Sequence, residues 1–147
     1  MGRVYGRAED SRFRPVVEVE LTYAGKTIPV LALVDSGADY TTIPVALGRT
    51  ITGLTFARIG RPGGNITGMG KPTPYRILDG VEVSYMGKVF AREIIVGRAP
   101  RMVLGINDFM KTFDVRFYWS LKLPEFWVEH TKGTPPANPT IRTKRKH

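Results

Sequence analysis

The sequence predicts an all-β fold, a closed sheet structure of six to eight strands with one short helix towards the C-terminal end. Three observations carry this expectation. Glycine (16 residues) and proline (11) punctuate a chain of 147 residues, so many turns interrupt it and little continuous helix can form. Apolar and polar residues alternate with period two at 17–23 and again at 81–85, as half-buried strands require. A strand, a Tyr-x-Gly-Lys turn and a returning strand then occur twice. Hydrophobic residues at 42% and charged residues at 24% fit a folded body, and the length suits one domain with one core.

Taken in order, residues 1–14 form a polar, Arg-rich N-terminal extension without a clear period. The domain is expected over 15–130. Val17, Val19, Leu21 and Tyr23 alternate with Glu18, Glu20 and Thr22, Ala24-Gly25 turns the chain, and Lys26 to Val34 returns as a second strand. Pro29 inside that strand marks an edge or a bulge, because proline has no N–H for the ladder. Residues 57–80 are dense in glycine and proline, and a segment of this length in a compact domain is usually functional or mobile. Val81, Val83 and Tyr85 alternate with Glu82 and Ser84, Met86-Gly87-Lys88 turns, and Ile94-Ile95-Val96 is a second apolar run. The shared Tyr-x-Gly-Lys turn points to an internal duplication. After Gly105, Asn107 is expected to cap a short helix running from Asp108 to Phe113. Phe117, Trp119, Leu121 and Leu123 alternate as a strand, and Phe126-Trp127-Val128 follows Pro124 as a last one. The tryptophans and phenylalanines are read as core, Asp108 as a helix-start charge and Asp114 as a surface residue.

Composition removes several chemistries. With no cysteine, disulfides, thiolate nucleophiles and Cys-based zinc sites are excluded. The two histidines, His130 and His147, lie in no compelling motif, so neither a His-based metal site nor a Ser-His-Asp triad is expected, and no cofactor or metal is called for. No apolar run approaches the ~20 residues that span a bilayer. The N-terminus has no apolar signal-peptide core, which makes a cytoplasmic location the expectation. Of the net charge of +9, residues 131–147 hold +5 without a single acid, and the rest of the chain holds +4. This basic tail, with three prolines and almost nothing apolar, is expected to be flexible. It reads as a solubilising segment, with weak nucleic-acid contact as the sharper alternative. Gly60-Arg61-Pro62-Gly63-Gly64 lacks the Gly-Lys-Ser/Thr that would make it a phosphate loop.

The chemistry centres on Leu33-Val34-Asp35-Ser36-Gly37-Ala38. An apolar strand delivers an acid directly into a turn, which holds Asp35 in place. Gly37 permits a tight turn and close approach, and the Ser36 hydroxyl can brace the loop. One carboxylate cannot easily catalyse both halves of peptide hydrolysis, whereas two in contact can. Like charges side by side cannot both ionise, so the pair shares a proton. One member then acts as base on a water while the other donates towards the carbonyl oxygen. The chain holds a single Asp-Ser-Gly or Asp-Thr-Gly, so a second carboxylate in the same setting must come from a second copy related by a two-fold axis.

Ala32-Leu33-Val34-Asp35-Ser36-Gly37-Ala38-Asp39-Tyr40-Thr41-Thr42-Ile43-Pro44 resembles the active-site segment of retropepsins, the retroviral and retrotransposon proteases and their cellular relatives. Val103-Leu104-Gly105-Ile106-Asn107-Asp108-Phe109-Met110 is similar to the family's second apolar-Leu-Gly segment, and Gly68-Met69-Gly70 to its glycine-rich flap tip. The three occur in the family's order. The resemblance implies a closed acid-protease barrel with a flap hairpin, paired as a two-fold homodimer that cuts extended polypeptides. It implies Asp35 as the catalytic aspartate, Ser36 and Gly37 as the loop that cross-braces the subunits, and Ala38 and Asp39 as contacts to substrate backbone. Gly68, Met69 and Gly70 would close over the substrate. Two departures stand out. Ile106 occupies a position where many viral members carry an arginine that pairs with the acid matching Asp39. Residues 60–74 are longer and richer in proline than a minimal viral flap. The terminal Phe126-Trp127-Val128 strand is open to two readings, exchange between subunits or a cover for the core. Two functional alternatives accompany the protease reading: a non-catalytic dimerisation or peptide-binding module on the same fold, and a nucleic-acid-associated protein using the basic tail.

Overall fold

The computed structural model describes residues 3–7, 14–66, 70–118, 125–130 and 141. Among them are two helices and twelve strands arranged in two sheets, more strands than the six to eight expected. The first elements are β1 (Arg3–Arg7), β2 (Val16–Tyr23), β3 (Lys26–Val34), β4 (Thr42–Pro44) and α1 (Val45–Thr52). A 3₁₀ turn at Phe56–Arg58 leads to the hairpin β5 (Arg61–Ile66) and β6 (Thr73–Leu78). Then come β7 (Val81–Tyr85), β8 (Lys88–Ala91), β9 (Ile94–Gly97), β10 (Met102–Leu104), α2 (Phe109–Thr112), β11 (Phe113–Tyr118) and β12 (Glu125–His130).

The alternating segments fold as their pattern requires. In β2, Val17, Val19 and Leu21 are buried while Glu18 and Glu20 face solvent. β3 returns antiparallel, with Val19 opposite Val30 and Tyr23 opposite Lys26. The turn between them has positive φ at both central residues, Ala24 (49°) and Gly25 (79°). Met86 (52°) and Gly87 (75°) repeat this geometry between β7 and β8. Such mirror-image turns match the right-handed twist of the flanking strands, which explains why both copies of the motif place glycine second. Pro29 lies opposite Glu20 on β2, and the other neighbour of β3 pairs only with Ala32 to Val34, so Pro29 sits on a locally open edge.

The nine-stranded sheet runs β5-β6-β9-β4-β10-β3-β2-β7-β8. At its centre the two halves interlock. β10 lies parallel to β3 with Val103 opposite Leu33 and Leu104 opposite Val34, so the two apolar segments that end in glycine pair directly. Reciprocally, β4 lies parallel to β9, with Ile43 opposite Val96. β2 and β7, the first strand of each half, pair antiparallel. Each half thus sends a strand into the other.

The helix α1 had no counterpart in the sequence reading. Its β-branched Val45, Thr50, Ile51 and Thr52 and its internal Gly48 give weak helical propensity. Burial of Gly48 and packing of Leu47 and Ile51 against the core, on one helical face, supply what propensity lacks. The second helix is capped by Asp108 rather than Asn107, and it covers only Phe109–Thr112.

The smaller sheet has the order β1-β12-β11. β12 is its central strand, with Val128 opposite Val115 of β11 on one side and Val4 of β1 on the other. Phe126 and Val128 are fully buried, so β12 covers the core of its own chain. Tyr85, Phe90, Phe109 and Phe113 form an aromatic cluster with ring centroids 5.0–6.0 Å apart. Trp127 is only half-buried and Phe117 is exposed, so not every aromatic is core. Trp119, Leu121 and Leu123 lie outside the described residues.

Candidate active site

Asp35 leaves the end of β3 at the centre of the large sheet. Its backbone N–H donates to the Leu104 carbonyl at 3.1 Å, which fixes the exit of the loop against β10. One carboxylate oxygen, Oδ1, accepts the Gly37 N–H at 2.8 Å, and the Ala38 N–H closes back onto the Asp35 carbonyl at 3.2 Å. The loop therefore turns around its own carboxylate. Asp35 is half-buried, whereas Ser36 and Gly37 are exposed. The acid is held from below and open from above.

The second glycine segment braces the loop from the other side. Ile106 N–H donates to the Ala38 carbonyl at 2.9 Å and Asn107 N–H to the Asp39 carbonyl at 2.8 Å. This docking needs Gly105, because a Cβ there would lie 2.5 Å from the backbone carbons of Tyr40. Ala38 and Asp39 are thus positioned by their backbones, with Ala38 half-buried and Asp39 exposed. Ile106 is 38% exposed, and Asp39 forms no ion pair among the described residues.

Asp108 is the residue that sequence reasoning undervalued. It is 1% exposed and joins the two segments. Its Oδ2 accepts the Thr41 N–H at 2.8 Å, and its Oδ1 accepts both the Thr41 hydroxyl at 2.9 Å and the Phe109 N–H at 2.7 Å. Thr112 donates its hydroxyl to the Asp108 carbonyl at 2.9 Å. Burial pushes the Asp108 carboxyl up from its ordinary value, and these hydrogen bonds oppose the rise without cancelling it. The signal available in sequence was an acid just after Leu104-Gly105 beside an apolar Phe109. Only the fold shows that its partner is Thr41.

The hairpin β5–β6 pairs Ile66 with Thr73 at its far end and Arg61 with Ile77 at its root, with a bulge at Gly63. Gly70 lies in the connection with φ of 120° and open space around its Cα. Gly68 and Met69 lie outside the described residues. An open hollow of about 370 Å³ beside α1 is lined by Ala46, Arg49, Thr50, Gly53, Leu54 and Thr55, none of them a predicted site residue. Among the described residues no group of three or more His, Asp and Glu side chains is placed to hold a metal ion, and no helix is long and apolar enough to cross a membrane.

A retropepsin-like aspartic protease from Rickettsia conorii superposes with a TM-score of 0.59 over 85% of this chain and 98% of its own, at 15% sequence identity. The fold is retropepsin-like. At that identity the likeness establishes the retropepsin-like architecture alone. The EIAV protease in complex with the inhibitor HBY-793 is also similar, at 22% identity over 63% of this chain and 81% of its own, but its TM-score of 0.48 is too low to carry an argument. No protein-family model and no curated protein matches the chain. In this retropepsin-like frame, Asp35, Ser36, Gly37, Ala38 and Asp39 form one continuous loop, and Gly105 to Asp108 form its support.

Proposed function

We propose that the chain is an aspartic endopeptidase that works as a homodimer on extended polypeptide substrates. The carrying observation is the placement of Asp35: a half-buried carboxylate on an exposed loop, braced through Leu104 and Gly37, at the centre of a retropepsin-like sheet. The chain supplies one such aspartate, and a two-fold axis beside the exposed Ser36 and Gly37 brings in its copy. The two carboxylates share one proton. The ionised member takes a proton from a water as that water attacks the scissile carbonyl. The protonated member donates towards the developing oxyanion, and the titration belongs to the pair. Ala38 and Asp39 hold the substrate backbone in this reading. The hairpin β5–β6, with Gly68, Met69 and Gly70 in its connection, acts as the flap that closes over the peptide. The peptide lies extended between flap and floor as an added strand.

The test is cleavage of casein or a peptide library from acidic to neutral pH, comparing wild type with Asp35→Asn and adding pepstatin. Removing the shared carboxylate is expected to lower turnover by about 10²–10⁴-fold or more, and pepstatin is expected to inhibit the wild type. Equal activity of the two proteins would take Asp35 out of the chemistry, and equal inertness would leave a non-catalytic peptide-binding module on this fold as the better reading.

A further inference from the structure

The basic tail 131–147 has no role in the reading above, yet one of its residues is fixed in the body of the protein. Ile141 is 5% exposed, and its backbone N–H donates to Oε2 of Glu93 at 3.0 Å. Glu93 lies between β8 and β9. Its other oxygen, Oε1, accepts Nη2 of Arg61 at 3.3 Å. Arg61 is the first residue of β5 and pairs with Ile77 at the root of the hairpin. One carboxylate therefore grips both the hairpin root and the tail. Across the same root, Arg76 of β6 donates through Nε to the Ile59 carbonyl at 2.8 Å and through Nη2 to the Gly60 carbonyl at 3.3 Å.

Three properties make this a built contact rather than a passing one. Ile141 is the one large apolar residue in a segment otherwise made of Thr, Lys, Arg, Gly, Pro, Ala, Asn and His, so it is the residue that burial would select. Its neighbours in sequence, Pro139, Thr140, Arg142 and Thr143, have little apolar surface to compete for the same seat. Glu93 is the acid expected to draw in a basic segment, with Arg142 next to the anchored residue. An Arg61–Glu93 pair as exposed as this one contributes little by itself. A buried isoleucine attached to the same carboxylate contributes more.

We infer that Ile141 acts as an intramolecular strap, seated at the root of the β5–β6 hairpin through Glu93, and that this strap restrains the hairpin. The seat itself is independent of what the hairpin does. Its consequence for turnover rests on the protease reading, in which the hairpin is the flap. A seated strap then slows flap opening, and its release, by cleavage of the tail or by a partner that captures its basic residues, frees the flap.

Hydrogen–deuterium exchange of the full chain tests the strap without any need for catalysis. Three proteins are compared: wild type, Ile141→Asp and Ile141→Val. In Ile141→Asp, exchange across 61–66 and 73–78 is expected to accelerate about ten-fold, the order that follows from losing one buried isoleucine at a local opening. Exchange in β2 and β3 should be unchanged. Ile141→Val should stay within about two-fold of wild type, since the seat remains filled by an apolar side chain. Unchanged hairpin exchange in Ile141→Asp would overturn the inference. So would an acceleration spread equally through β2 and β3, which would report general destabilisation. Turnover of the same variants reads the consequence. An inert wild type with an Ile141-dependent hairpin keeps the strap and sinks the protease, whereas an active enzyme with an Ile141-independent hairpin does the reverse.

Discussion

Asp108 shows how much a single buried carboxylate can organise. It accepts three hydrogen bonds and so ties Thr41, six residues beyond Asp35, to the start of α2. Asp108→Ala leaves the Thr41 and Phe109 donors buried without partners, at a cost of about 3 kcal/mol or more in urea denaturation. The pH dependence has a definite sign. Because burial raises the folded-state pKa above its unfolded value, the folded chain binds more protons across the window between the two. Asp108 therefore contributes stability at the acid side of that window and loses it as pH rises through the folded value. Relative to Asp108→Asn, the wild type should lose stability as pH rises above the ordinary carboxylate range. The opposite trend in paired denaturation curves would mean that the hydrogen bonds outweigh desolvation. At Asp35 the consequences are chemical, and Asp35→Asn should leave stability nearly unchanged while removing turnover.

Turns and junctions carry the predictions at the scale of elements. Ala24 holds φ of 49° at an exposed hairpin position, a conformation that an alanine adopts only with strain. Ala24→Asn restores the Asn-Gly pair that such turns favour and should stabilise the protein by about 0.5–1 kcal/mol, read as a rise in denaturation midpoint at constant m-value. Gly105→Ala is the opposite case. The added methyl meets the backbone of Tyr40 rather than a movable side chain, so the junction of β10 with the loop 35–40 must shift. We expect a loss of about 2–3 kcal/mol in stability. The same change should collapse turnover, since Ala38 and Asp39 are held by Ile106 and Asn107. Much of the element pattern was legible: β2, β3, β7 and β12 follow from alternation and turn chemistry. The helix α1 was not, because its residues prefer other conformations locally and become helical only when Leu47, Gly48 and Ile51 find a surface to pack on.

On the proposed protease reading, the molecule doubles to complete its active site. If Asp35 needs its copy, specific activity should rise with protein concentration and saturate once the dimer forms, with sedimentation giving the same midpoint. Titrating Asp35→Asn into a fixed amount of wild type should lower activity, because mixed dimers hold only one competent aspartate. Strict proportionality between activity and concentration down to the monomer range would refute the shared dyad. The tail adds a second feature at this scale. Its composition alone predicts a solvated basic segment, whereas Ile141 is anchored on Glu93.

By itself the sequence determined the strand pattern, the two mirror-image turns and the position of Asp35, because period-two alternation and glycine placement are local consequences of backbone geometry. It also holds a single Asp-Ser-Gly, and the proposal of a dyad shared between two chains rests on that. Tertiary structure decided what depends on contacts distant in sequence. It paired Leu33-Val34 with Val103-Leu104, gave Asp108 to Thr41 across 67 residues, drew α1 onto the core and set Ile141 against Glu93. In each case the choice of partner was made by burial, which no local pattern encodes.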